Sequence, residues 1–95
     1  MSRYAKELEN LRRYVESLKN APMTVEEYLD QELPDRKTDA VQAAWQPAVL
    51  SALGHAQNGG ILRIDLPITE NSVIHGITSD GFAALKALEK YVGPL

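Results

Sequence analysis

The sequence predicts a mostly helical α+β domain ending in a two-stranded antiparallel hairpin and a closing helix. Three observations carry that expectation. Apolar residues recur at steps of three and four as far as Asn58, the pattern changes to strict alternation after Gly59-Gly60, and helical spacing returns after Thr78.

The first helix is read from Tyr4, Leu8, Leu11, Val15 and Leu18, which fall on one stripe of a helix covering about residues 1–20. The stripe is shorter than the three or four heptads that argue for a coiled coil, so packing on the domain's own core is the first expectation. It is also narrow and flanked by charge (Lys6, Glu7, Glu9, Arg12, Arg13, Glu16), which suits pairing with a symmetry mate. These five residues are therefore also the candidate dimerisation surface. Pro22 closes the helix, because the residue before a proline is pushed out of the helical region.

A second helix opens at Thr24. Thr24 and Glu27 form a capping box, and Met23 and Tyr28 are placed as a hydrophobic staple. Val25, Tyr28, Leu29 and Leu33 supply its inner face, and Pro34 stops it. Glu26, Glu27 and Asp30 sit near its start, where helix chemistry alone accounts for them.

With Thr38 as N-cap, Val41, Trp45, Ala48 or Val49, Ala52 or Leu53, and Ala56 keep helical spacing up to Asn58. Pro47 falls inside this run. An interior proline costs about 3 kcal/mol, so two short helices broken near Trp45-Gln46, or one sharply kinked, are expected. Trp45 reads as a core anchor.

Beyond Gly60, Leu62, Ile64 and Leu66 alternate with Arg63 and Asp65, a half-buried strand with Arg63 on its wetter face. Residues 67–71 form a loop, and Val73, His75 and Ile77 alternate with Ile74 and Gly76 in a second strand. Thr78 then caps a last helix with Phe82, Leu85, Leu88 and Val92 inward. Two strands alone are marginally stable, so the hairpin must lie against helices.

The whole chain, residues 1–95, forms one domain: the N-terminal helix and a core over 23–93. A chain of this length buries only roughly 60 to 65% of its unfolded surface. Its 44% hydrophobic and 24% charged residues are those of a folded globular protein. The absence of cysteine excludes disulfides and thiolate metal sites. No apolar run approaches a membrane span and the N-terminus lacks an apolar leader core, so no membrane partner and a cytoplasmic location are expected. No cofactor or metal site is expected, since His55 and His75 have neither cysteine nor a carboxylate at ligand spacing. Ser72, His75 and Asp80 do not make a hydrolase constellation: Ser72 and His75 fall on opposite faces of a strand, and Asp80 is explained by a helix start. A non-enzymatic protein is expected.

The run Gly60-Ile61 after an alanine-rich helix, then the hairpin, then Ile77-Thr78-Ser79-Asp80-Gly81-Phe82-Ala83-Ala84-Leu85, resembles the wing and closing helix of winged helix-turn-helix regulators of the PadR and MarR kind. The likeness covers about residues 47–91, and Met23–Leu29 is similar to the start of the second helix in such domains. The resemblance implies that residues 47–58 form a groove-reading helix and that the protein is a DNA-binding transcriptional regulator acting as a homodimer. Gln46, Ser51, His55, Gln57 and Asn58 would then face base edges, with Arg36, Lys37 and Arg63 on phosphates. Two features depart from the pattern. An extra segment around 34–45 lengthens the usual tight turn, and no lysine or arginine lies between Lys37 and Arg63. Phosphate neutralisation supplies most non-specific DNA affinity, and the net charge is −3. The alternative is an acidic protein–protein interaction module on the same fold.

Overall fold

The computed structural model describes residues 3–92. In chain order these form helix α1 (Arg3–Ser17), strand β1 (Met23–Thr24), helix α2 (Val25–Glu32), helix α3 (Ala40–Asn58), strands β2 (Leu62–Ile64) and β3 (Val73–Ile77), and helix α4 (Ser79–Val92). The α+β class is as expected from the sequence. Two of its details are corrected. The hairpin is not C-terminal, since α4 adds fourteen residues after it, and the sheet has three antiparallel strands in the order β1-β3-β2.

The extra strand carries no alternation signal of its own, because it is two residues long and Thr24 also caps α2. Thr24 has extended dihedrals, its side chain accepts from the Glu27 N–H, and Glu27 reaches back to the Thr24 N–H. The same extended stretch pairs Met23 with Ile74 and Thr24 with Val73. The next two N–H groups, of Val25 and Glu26, donate to the carbonyls of Ser72 and Glu70 at 2.9 Å. The first turn of α2 is thus joined to the hairpin loop as well as capped.

The core gathers Leu18, Met23, Val25, Tyr28, Leu29, Leu53, Leu62, Ile64 and Ile74 between the helices and one face of the sheet. Val25, Leu29, Leu53 and Ile74 are fully buried. Helix α1 belongs to this body: its outer half lies along α4, and Leu8, Leu11 and Leu18 are buried within the single chain. At the far end Tyr4 meets Tyr91 edge to face, with ring centres 5.0 Å apart. Arg12 bonds Glu89 across the same interface at 3.3 Å. Of the stripe expected at Tyr4, Leu8, Leu11, Val15 and Leu18, the chain's own packing buries Leu8, Leu11 and Leu18 and half-buries Val15, while Tyr4 stays exposed.

Helix α4 turns Leu85, Leu88 and Val92 inward as expected, but not Phe82. Phe82, read as inward, is half exposed, while Gly81 is buried. A Cβ at Gly81 would lie 2.6 Å from the Ile61 carbonyl oxygen and 2.7 Å from Ile77 Cγ2. Only a glycine lets the helix start this close to the strands, and that approach turns Gly81, Ala84, Leu85, Leu88 and Val92 inward. Thr78 fixes the start: its hydroxyl accepts from the Gly81 N–H at 2.9 Å and donates to the Gly60 carbonyl.

Helix α3 is one continuous helix through Pro47, where two short helices or one kinked helix were expected; the two-helix form is corrected. The proline removes one N–H, which frees the carbonyl of Ala43. Ala43, Ala44 and Pro47 are all exposed, so water can serve that carbonyl. The cap is Asp39 rather than Thr38: the Asp39 carboxylate accepts from the Val41 N–H at 2.8 Å, and Thr38 lies in the preceding turn.

Candidate functional site

The rotation of α3 decides which of its side chains can meet a partner. Its inward side carries Gln42, Gln46, Val49, Leu50, Leu53, Ala56 and Gln57, all buried or half-buried. The glutamines are inward because the turn before the helix needs them. Gln42 Oε1 accepts from the Asp35 N–H at 2.7 Å and Gln46 Oε1 from Arg36 Nη1 at 3.2 Å, while Gln57 Oε1 accepts from the Ile64 N–H at 2.6 Å. In each of the three the amide oxygen is taken up by the chain itself.

Arg36 is the clearest departure from expectation. Its side chain is 6% exposed. Nε donates to Asp30 Oδ1 at 3.0 Å, and Glu70 Oε1 is 3.5 Å from Nη1. Nη2 lies 2.9 Å from the same Asp30 oxygen, but off the line a hydrogen bond needs. One guanidinium thus ties α2, the turn, α3 and the hairpin loop together, and it is occupied by protein where a phosphate contact was expected. Of the other residues proposed for DNA, Ser51, His55 and Asn58 on α3 and Lys37 before it are exposed, and Arg63 is exposed on β2 opposite Gly76.

The outward side of α3 is apolar. Val41 is 68% exposed and Trp45 60%. Ala44, Ala48 and Ala52 are exposed on the same stripe. Ser51, His55 and Asn58 border it, and the helix carries no lysine or arginine. The expected inward placement of Val41 and Trp45 is corrected. Their four-residue spacing marked a face of the helix, but the polar turn captured the opposite face. The signal for this was present in Gln42 and Gln46, four residues apart beside a charged turn.

On the hairpin, His75 Nε2 and Asp65 Oδ1 are 2.8 Å apart. That bond is the main cause that holds the Asp65 carboxyl below its ordinary range, with desolvation opposing it. Ser72 is buried and structural: its hydroxyl donates to the Pro67 carbonyl at 3.0 Å and accepts from the Thr69 N–H at 2.9 Å. Asp80 lies exposed in the first turn of α4. Among the described residues no group of three or more His, Cys, Asp or Glu side chains could hold a metal ion, and no helix is long and apolar enough to cross a membrane. Comparison with family models, curated proteins and solved structures finds no match.

Proposed function

We propose that the protein is a non-enzymatic interaction module that binds a protein partner through the outward face of α3. The observation that carries this reading is the exposed stripe of Val41, Trp45 and the alanines between and beyond them, on a helix without a single cation. Interfaces centre on aromatic anchors surrounded by small apolar contacts, and Trp is foremost among hot-spot residues. Duplex DNA calls for the opposite chemistry, because its affinity rests on released counterions and therefore on lysine and arginine. The partner's chemistry follows: an uncharged apolar patch able to take the Trp45 ring.

A second reading, a winged-helix DNA-binding regulator, is favoured by one arrangement. The order helix, short strand, two helices, hairpin and helix, with β1 beside β3, accords with the winged-helix resemblance, and Arg63 is exposed on β2 as a wing cation would be.

Titration into mixed-sequence duplex DNA at low and then moderate salt separates the two. Protein recognition expects no low-salt affinity. Affinity that appears at low salt, falls steeply as salt rises and drops in Arg63→Ala overturns it in favour of DNA. In parallel, a partner recovered with the wild type should be lost with Trp45→Asp while the circular dichroism spectrum is unchanged. Retention of the same partner by Trp45→Asp would remove α3 from the interface.

A further inference from the structure

The chemistry asked of a partner, an uncharged apolar patch able to take the Trp45 ring, is present on this chain. Helix α1 packs against α4 and leaves an open groove of about 410 Å³ between itself and the C-terminal half of α3. Leu11, Ala52, Ala56 and Ile61 give the groove an apolar lining. Glu7, Asn10, Tyr14 and His55 complete it, and a buried indole N–H needs one such polar group as its acceptor.

Ring and groove are related by their places on one helix. Trp45 and Ala52 stand two turns apart in sequence, so they share a face of α3. Ala48 lies between them, exposed and small enough for a second helix to approach closely. A two-fold axis beside Ala48 lays two copies of α3 antiparallel and sets Trp45 of each copy against Ala52 and the groove of the other, the self-complementary arrangement that an isologous contact requires. Charge permits it. Each copy carries a net charge of −3, but residues 40–58 contain no Asp, Glu, Lys or Arg, so the facing helices do not repel. Area sets the strength: two aromatic rings and a stripe of small residues reach only the low end of specific interfaces, about 1,200 Å² or less, which suits reversible pairing rather than a permanent dimer.

We infer that the occupant of the α3 face is a second copy of this chain, in a two-fold pair in which each Trp45 enters the groove beside Ala52 of the other copy. This rests on the reading of α3 as a protein-binding face and names what binds there.

Sedimentation of the full chain over a dilution series from about 1 mM to about 1 μM should show a dimer at the concentrated end. Emission from Trp45, the only tryptophan, should move to shorter wavelength as the dimer forms. Ala52→Glu places a charge where the ring must seat, at an exposed position, and should weaken pairing by about tenfold or more with the circular dichroism spectrum of the monomer unchanged. A wild type that stays monomeric throughout overturns the inference while leaving the α3 face itself to be judged by the partner test with Trp45→Asp. A dimer that forms without a change in Trp45 emission, or that pairs equally well in Ala52→Glu, uses another surface and overturns it as well.

Discussion

Helices α1 and α3 carry similar apolar stripes and meet opposite fates. On α1, Tyr4, Leu8, Leu11, Val15 and Leu18 look like a surface for a second copy, yet Leu8, Leu11 and Leu18 are buried in the chain's own fold. On α3, Val41 and Trp45 look like core and are exposed. Periodicity identifies a stripe but does not say what covers it. The decision rests with what packs beside each helix: α4, far away in sequence, for the first, and the adjoining Asp35-Arg36 turn for the third.

Breaking the covered stripe should have the largest effect. Leu8→Ala removes a buried side chain and should cost about 2–5 kcal/mol in chemical denaturation. A loss within about 0.5 kcal/mol, with conversion of a dimer to monomers, would return α1 to the role of dimer surface. Arg36→Met comes next, because that guanidinium fixes how α3 sits. Two half-exposed carboxylates lose their partner, so about 1–3 kcal/mol should be lost, with Trp45 emission changed as α3 loosens. An unaltered denaturation midpoint would mean that the glutamines alone hold the helix.

Trp45→Ala should change stability by no more than about 0.5 kcal/mol, because the ring is mostly in solvent and alanine favours a helix. A cost like that of Leu8→Ala would show that the two stripes are both covered. The smallest effect concerns the hairpin. Asp65 titrates below its ordinary range chiefly through its bond to His75, so its contribution is present above the unfolded carboxylate value of about 3.9 and is lost as pH falls through the depressed folded value. In His75→Ala the Asp65 midpoint, read by carboxyl-carbon NMR, should rise towards the ordinary value. An unmoved midpoint would remove His75 as the cause.

Much of the fold was legible because its signals are local. The Thr24–Glu27 capping box and the Thr78 cap each lie within one turn of helix, where side chain and backbone meet whatever the rest of the chain does. The change to alternation after Gly60 marked the hairpin for the same reason. The candidate surface was not legible. Of the residues expected to face a groove, Gln46, Gln57 and Arg36 are engaged by the chain itself, and Trp45, expected inside, stands outside.

By itself the sequence determined the mostly helical α+β class, the hairpin followed by a closing helix, two helix starts, and the chemical character of α3, whose lack of lysine and arginine no folding can alter. Only the tertiary structure decided that β1 joins the sheet beside β3, that Gly81 turns α4, that Arg36 is internal, and that the outward face of α3 is apolar. The physical reason is range. Caps and periodicity act over one or two turns of chain, whereas burial is settled by which distant surfaces meet and by which buried polar groups must find a partner.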